Sequence, residues 1–190
     1  MPLTRIAPPD FDVDLDLRYA TADNVTGAPI YANAAAYLHP IAAELLQRAI
    51  ELARPLGYRF KIFDAFRPPE AQWALWNAYP SAEFVADPRR GGPHSRGAAV
   101  DLTLIDGQGR ELEMGTGFDA FTAQAHHART DITLEAQRNR ALLLGIMTAA
   151  GWDFFKNEWW HYQLFNARQR LPVFSDSVLP ERMMARPEGT

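Results

Sequence analysis

The chain has 190 residues, a formal net charge of -4 at pH 7 and no cysteine. This length fits a single domain, because one core commonly serves chains of up to roughly 200 residues. The acidic balance gives no general attraction to nucleic acid or anionic lipid. The lack of cysteine excludes disulfides, thiol nucleophiles and thiolate zinc sites, so any metal must be bound by histidine, carboxylate and water.

The ends and the apolar stretches of the chain bear on its location and organisation. The N-terminus has no apolar signal core, and no stretch of the sequence approaches the ~20 apolar residues that span a bilayer. We therefore expect a cytoplasmic protein with neither membrane nor nucleic acid as partner. We expect residues 1–190 to form one domain in which 171–190 are a C-terminal tail, loose or draped on the surface. The sequence leaves open whether the chain forms a homo-oligomer.

Hydrophobic periodicity predicts both strands and helices in the first half of the chain. The predicted elements are a half-buried strand over 10–20, a helix over 41–54, a strand over 58–63 and a short helix over 70–79. Pro40 fits the first turn of the longer helix. Arg67 comes just after the second strand, and side chains at strand ends often reach a site.

The second half predicts a loop, more strands and a further helix. Its elements are a surface loop over 80–93, a strand over 98–105, an irregular segment over 114–133, a helix that Thr133 begins and Gly151 ends, and strands within 152–155 and 159–165. Irregular segments this long usually have a function. Because regular βαβ alternation is absent, we predict an α+β fold with a small, mostly antiparallel sheet flanked by helices.

One histidine and one aspartate stand seven residues apart across a glycine turn and into an apolar strand. They are His94 and Asp101, and a second histidine, His161, follows sixty residues later. In the strand over 98–105, alternation turns Asp101 away from the core residues and towards a cleft. A catalytic zinc takes three protein ligands of these types and leaves a fourth position for water. His94, Asp101 and His161 are therefore candidate zinc ligands, although such a pair is as often a hydrogen-bonded structural feature.

Two further residues have side chains suited to catalysis beside such a metal. The positions of Glu158 and His161 differ by an odd number, so on one extended strand their side chains would face opposite sides. Both can reach one site only if Glu158 lies before the strand and His161 within it. A glutamate beside the metal, but not bound to it, can take a proton from water and pass it to a leaving amine. Arg67 is a candidate to stabilise the oxyanion.

Several segments together resemble one known family. They are His94–Leu104, Met114–Asp119, His126-His127, Glu158–Tyr162, Arg18–Gly27 and Asp64–Pro68. Across roughly residues 12–165 the chain is similar in order and spacing to the zinc D-alanyl-D-alanine dipeptidases, the VanX-like enzymes. This resemblance implies a zinc D,D-peptidase (hedgehog-like) fold and one zinc ion per chain.

The resemblance also implies a role for each matching residue. It assigns the zinc to His94, Asp101 and His161, the base to Glu158 and transition-state stabilisation to Arg67. It further implies that Asp119, with Tyr19 near it, receives the free ammonium group of the dipeptide.

Gly92 departs from the family pattern. The pattern usually has a serine two positions before the first zinc histidine, where it helps to hold the substrate's C-terminal carboxylate. In this chain a backbone N–H of Gly91 or Gly92 could take the place of the serine hydroxyl. The alternative is that the carboxylate is held in a different way. We interpret His126-His127 as a structural polar cluster or a lid contact rather than a second metal site. Arg89-Arg90 is most simply a solvated pair.

The predicted function is zinc-dependent hydrolysis of D-alanyl-D-alanine, or of a close D,D-dipeptide, to free amino acids. One alternative is a D,D-carboxypeptidase or peptidoglycan endopeptidase of the same superfamily, which the Tyr19 and Asp119 segments disfavour. The other is a non-catalytic, zinc-stabilised binding module, for which neither Glu158 nor Arg67 would be needed.

Overall fold

A computed structural model describes residues 2–81 and 83–185. The strands in these parts of the chain are β1 (Thr4–Ile6), β2 (Val13–Leu15), β3 (Ala36–Leu38), β4 (Arg59–Asp64), β5 (Ala99–Ile105), β6 (Asp153–Phe154) and β7 (His161–Gln163). The helices are α1 (Pro40–Ala53), α2 (Pro69–Ala78), α3 (Leu134–Ala150) and the short α4 (Ala167–Arg170). None of the helices in these residues is both long and apolar enough to cross a membrane.

Five strands form the main sheet in the order β2-β4-β5-β7-β6. β2 runs parallel to β4, and the other three neighbouring pairs are antiparallel. The predicted α+β class with a small, mostly antiparallel sheet is therefore confirmed. β1 and β3 pair in a separate antiparallel ribbon that the sequence did not predict.

The first predicted strand is much shorter than expected. Only Val13–Leu15 is a strand, and Arg18–Ala20 form a 3-10 turn. β2 pairs with residues 60–62 of β4, and the Asp16 N–H donates to the Ile62 carbonyl. The ladder ends there because β4 changes register immediately afterwards, so the expectation of a strand over 10–20 was wrong.

The main core lies between the sheet and the two long helices. The buried side chains Val100, Leu102 and Leu104 of β5 belong to one apolar cluster with Leu46 of α1 and Leu143 of α3. α1 and α3 also pack against each other. This arrangement covers one face of β5, so the polar residues of β5 lie on the opposite face.

A second apolar cluster lies outside this core. Tyr19, Phe66 and Leu75 belong to it, together with Leu179 and Met183 near the chain's end. Leu179 and Met183 are buried, and residues 171–185 of the expected tail therefore pack on the protein through this cluster. Residues 186–190 lie outside the described residues.

A β-bulge in β4 determines which residues face away from the main core. Ile62 pairs with Leu102, but the next pair is Asp64 with Asp101, so two residues of β4 oppose one of β5. In a regular strand, with the same residues and no bulge, alternation would turn Asp64 to the same side as Ile62. On the other side of β5, Asp101 pairs with His161 of β7. The bulge thus puts three polar residues side by side across three strands.

A glycine with positive φ leads into β5. Gly97 has φ +62° and ends the 3-10 turn of His94–Arg96. A Cβ at this position would lie 2.6 Å from Leu3 Cδ2 and 2.8 Å from the His39 backbone nitrogen. Only glycine fits here without movement of the neighbouring backbone, and the position of His94 depends on this turn.

Gly97→Ala should lower the free energy of unfolding by about 2–5 kcal/mol, because left-handed strain of about 1–2 kcal/mol adds to overpacking of about 1–3 kcal/mol. The matched control is Gly57→Ala, since Gly57 has φ +81° but nothing within 4 Å of a built Cβ. That control should show the strain alone. Urea unfolding of both variants measures the difference, and equal losses would contradict the role given to close packing.

Candidate metal centre and active site

Three side chains converge on one point above the sheet. His94 comes from the 3-10 turn, Asp101 from β5 and His161 from the first position of β7. One ligand atom from each lies within 4.8 Å of the others, and all three residues are buried. The structure thus brings together the three residues that the sequence proposed as metal ligands.

The outer nitrogen of each imidazole is held by a hydrogen bond. His94 Nδ1 is 2.6 Å from the Ala65 carbonyl oxygen, and His161 Nε2 is 3.1 Å from Gln163 Oε1. Because these oxygens accept, the outer nitrogens carry the protons. His94 Nε2 and His161 Nδ1 then present lone pairs to each other at 3.2 Å. Two such nitrogens beside a carboxylate fit a bound cation.

The carboxylate of Asp101 lies against both imidazoles. Its oxygens are 3.2 Å from His94 Nε2 and 3.0 Å from His161 Nδ1. Burial acts to raise the pKa of Asp101, but the two histidines, where their inner nitrogens are also protonated, outweigh it through charge and hydrogen bonds and hold the pKa below its usual range. Asp101 therefore stays ionised, and this set of nitrogen and oxygen donors suits zinc with one position left open.

Glu158 lies beside this group but outside it. It sits between β6 and β7, before the strand that contains His161, so the predicted relation of these two residues to the strand is confirmed. Glu158 Oε2 is 3.7 Å from His161 Nδ1, and the side chain is buried. Burial raises the pKa of Glu158 to about 8, although His161 acts to lower it. A carboxyl with this pKa can both accept and return a proton near neutral pH.

Arg67 is buried in the floor of the site. Its guanidinium donates to Asp64 at 2.8 Å, to Gln72 Oε1 at 3.1 Å and to Asp101 at 3.3 Å. It also lies over the Tyr19 ring, 4.7 Å from the centroid. Arginine has five N–H donors, so some donors remain for a ligand in the cavity that Arg67 lines.

Asp119 and Tyr19 meet in the wall of the same cavity. The Tyr19 hydroxyl donates to Asp119 Oδ2 at 2.9 Å, across one hundred residues of sequence. Asp119 has φ 56°, a strained conformation for a residue other than glycine. Burial raises the pKa of Asp119 to about 7, while Arg67 acts to lower it. Asp119 is half-buried and has no ion-pair partner in residues 2–81 and 83–185, so its carboxylate is a strong attractor for a cationic group.

The cavity has a volume of about 310 Å³, at the small end of the range for ligand pockets. Two irregular segments of the chain close one side of it through aromatic contacts. The ring of Phe121 lies 5.1 Å from that of Phe84 and 5.0 Å from that of Tyr79. The predicted surface loop over 80–93 thus supplies part of the cavity wall; Ala82 in that loop lies outside the described residues.

Several residues of the site were not found from the sequence. Gln163 holds His161, and its position two residues further along the strand is a signal that could have identified it. Gln72 holds Arg67 and also donates to the Ala86 carbonyl, which ties α2 to the loop. Arg90 and Arg168 line the cavity, although Arg90 had been interpreted as half of a solvated pair.

The Gly92 backbone also lines the cavity. The N–H of its neighbour Gly91 donates to the Pro88 carbonyl at 3.2 Å and is not available to a ligand. Within the described part of the chain the Gly92 N–H has no such partner. Of the two backbone donors considered from the sequence, Gly92 is thus the one that can meet a substrate.

The adjacent histidines His126 and His127 do not join the metal-ligand group found among the described residues. The His127 ring packs on Phe154 and Tyr162 at 5.0 and 6.4 Å between centroids. The His126 ring is 6.3 Å from that of Phe84. Burial lowers the pKa of His127 to about 4, so this imidazole is neutral at pH 7. These aromatic contacts agree with a structural role but not with a polar cluster, because the buried Nε2 atoms of both rings have no hydrogen-bond partner in the described part of the chain.

Comparisons with known proteins agree with this site. The D-ala-D-ala dipeptidase family matches residues 3–179. A D-alanyl-D-alanine dipeptidase of Escherichia coli is 42% identical over 165 residues, which cover 87% of this chain and 85% of the relative. One from Enterococcus faecium is 35% identical over 78% of this chain and 84% of its own length.

A solved structure of a vancomycin resistance D,D-pentapeptidase, VanY, in complex with Zn(II), aligns with a TM-score of 0.46 and 16% identity. The alignment covers 72% of this chain and 78% of that one. The family match spans nearly the whole chain and includes every segment that contributes to the cavity. The chain therefore belongs to the D-ala-D-ala dipeptidase family of metallopeptidases.

Proposed function

We propose that this protein hydrolyses the dipeptide D-alanyl-D-alanine to two molecules of D-alanine, with one zinc ion per chain held by His94, Asp101 and His161. The observation that carries the proposal is the placement of Glu158, beside the three ligands but not among them. A purely structural metal site would have no use for a free glutamate at that position. Membership of the dipeptidase family supports the choice of substrate.

In this proposal Glu158 moves the protons of the reaction. A zinc ion held by this donor set supplies Lewis-acid activation of water and of a carbonyl oxygen. Glu158 takes the proton of the attacking water and then gives it to the leaving amine, for which a raised pKa is suited. Arg67 directs its remaining N–H donors to the carbonyl oxygen as negative charge develops there. Asp64 and Gln72 keep the guanidinium in place for this role.

Asp119 and Tyr19 give the site its preference for a free amino terminus. The ammonium group of a dipeptide can pair with Asp119, whose carboxylate has one hydrogen bond from Tyr19 and no ion-pair partner among the described residues. A blocked or longer peptide has no charge to offer at this position and would leave the carboxylate buried without compensation. The small cavity favours the same choice, because it accommodates little beyond two small residues.

The first test compares three substrates with purified, zinc-loaded protein: D-Ala-D-Ala, its N-acetylated form and a pentapeptide that ends in D-Ala-D-Ala. We expect at least about 100-fold higher kcat/KM for the free dipeptide, because the other two lose the charge pair with Asp119. A chelator should abolish the activity, and added zinc should restore it. Release of D-alanine measures the reaction.

Each alternative function gives a different result in this test. Comparable rates on the acetylated or long substrate would indicate a carboxypeptidase or endopeptidase. Zinc binding without hydrolysis of any of the three would indicate a binding module. Either result would overturn the proposed dipeptidase function.

Glu158→Gln should keep zinc at the wild-type stoichiometry and lower kcat by about 100- to 10,000-fold, the usual contribution of general acid–base catalysis. Metal analysis of the purified variant and steady-state kinetics measure the two effects separately. The matched control is Glu135→Gln, which changes an exposed glutamate in the first turn of α3. Loss of zinc from Glu158→Gln would mean that Glu158 is a ligand rather than the base.

Asp119→Asn should lower kcat/KM for D-Ala-D-Ala by about 10- to 100-fold, because a charge-assisted hydrogen bond of about 1.5–3 kcal/mol is lost. The N-acetylated substrate has no ammonium group, so its low rate should change little. Asp131→Asn is the control, since Asp131 lies in the same irregular segment but pairs with Arg129. Equal losses on both substrates would show that Asp119 supports the fold instead of binding the amine.

A further inference from the structure

A zwitterionic dipeptide needs a positive group at the end of the cavity opposite Asp119. This inference rests on the proposed function, since it concerns the carboxylate of the same substrate. A carboxylate removed from water without a partner is costly, so the cavity must supply a cation or N–H donors. The N–H donors that Arg67 has left after Asp64, Gln72 and Asp101 serve the carbonyl oxygen in the proposed function. A different group is therefore needed for the carboxylate.

Two other arginines line the cavity, Arg90 and Arg168. Neither forms a salt bridge with an acid in residues 2–81 and 83–185. Their neighbours in sequence behave differently. Arg89 pairs with Asp87 at 2.8 Å and does not line the cavity. Arg170 follows Arg168 in α4 and also lies outside the cavity wall. All four arginines are exposed, and Arg90 and Arg168 differ from their neighbours in lining the cavity.

A third arginine stands behind this part of the wall. Arg96 is buried, and its Nε has no hydrogen-bond partner among the described atoms. Its guanidinium lies next to Gly91, because a Cβ built on Gly91 would be 3.2 Å from Arg96 Nη2. Arg96 Nη1 also donates to the Leu171 carbonyl, directly after the short helix α4 that contains Arg168, so the Arg96 guanidinium lies against the end of that helix. Positive charge from Arg96 therefore lies beside the Gly91 backbone.

We propose that Arg90 and Arg168, with the Gly92 N–H, bind the α-carboxylate of the dipeptide. Arg96 adds positive potential from behind Gly91. Gly92 has no side chain to offer a hydroxyl, and the planar guanidinium group matches a carboxylate with two parallel hydrogen bonds. The dipeptide then lies with its ammonium group at Asp119 and its carboxylate at the two arginines.

The test uses Arg90→Gln, Arg168→Gln and the double variant, all in zinc-loaded protein. Both arginines are exposed enough for the fold to tolerate the change. Rates are measured on D-Ala-D-Ala and on its C-terminal amide, which keeps the ammonium group but has no carboxylate. The matched controls are Arg89→Gln and Arg170→Gln, each close in sequence to its test residue but outside the cavity.

We expect KM for D-Ala-D-Ala to rise by about 10-fold in each single variant and by about 100-fold in the double variant, with a smaller change in kcat. The amide should be affected less than about threefold in the same variants, so the preference for the free acid disappears. Arg168→Lys should recover part of the affinity because it restores the charge. The control variants should behave as the wild type on both substrates.

An unchanged preference for the acid over the amide, or equal losses on both, would overturn the carboxylate site. Binding of D-Ala-D-Ala to a Glu158→Gln background, measured by calorimetry, gives a readout that needs no turnover. If the wild type cleaves neither substrate, the proposed function fails, and this binding experiment still decides the inference. A Kd that the arginine variants leave unchanged refutes it, and a Kd raised about 10-fold supports it.

Discussion

A single buried arginine placed between two buried aspartates holds the polar side of this protein together. Arg67 joins Asp64 of β4, Asp101 of β5 and Gln72 of α2 through three hydrogen bonds. Removing one member of such a group leaves a buried charge uncompensated, which typically costs about 3–5 kcal/mol. The site and the fold therefore depend on the same contact. The substrate would meet a guanidinium group whose position is already determined by the sheet.

The side chains proposed to contact the metal or the substrate are themselves held in place by hydrogen bonds from neighbouring residues. The Ala65 carbonyl fixes His94, Gln163 fixes His161, and Gln72 fixes Arg67. The Tyr31 hydroxyl donates to Asp64 Oδ1 at 2.8 Å, so both oxygens of that carboxylate accept a hydrogen bond. Ligands supported in this way keep their orientation and tautomer without a metal, so little reorganisation is needed when a cation binds. The rigid part of the site is built on strands, while the irregular segments supply the cavity wall.

The sequence could predict those parts of the structure that depend on local patterns. Alternation along β5 correctly turned Asp101 away from the core, and apolar spacing gave α1 to within one residue at each end. The spacing of Glu158 and His161 predicted a chain that turns before β7. Each of these predictions follows from the period of a strand or a helix, which can be recognised from residues that are close in sequence.

Other features could not be predicted, because they depend on distant contacts. The ribbon of β1 and β3 forms from two short segments whose pairing has no local signal. The difference between Arg89 and Arg90 also has no local cause. Asp87 takes one arginine as its partner, while a turn directs the other towards the cavity. The role of the irregular segments in closing the cavity arises from the stacking of Phe84 on Phe121, which are far apart in sequence.

The bulge in β4 has a consequence for how this chain can change in length. Ile62 of β4 packs in the core, whereas Asp64 and Arg67 belong to the site. The extra residue of the bulge lies between Ile62 and Asp64. A further residue inserted between Ile62 and Asp64 would shift the alternation and turn these charged groups towards apolar side chains. The loop over 80–93 is under no such restriction away from its cavity-lining residues. Insertions that persist in relatives should therefore accumulate in that loop and be absent between Ile62 and Arg67.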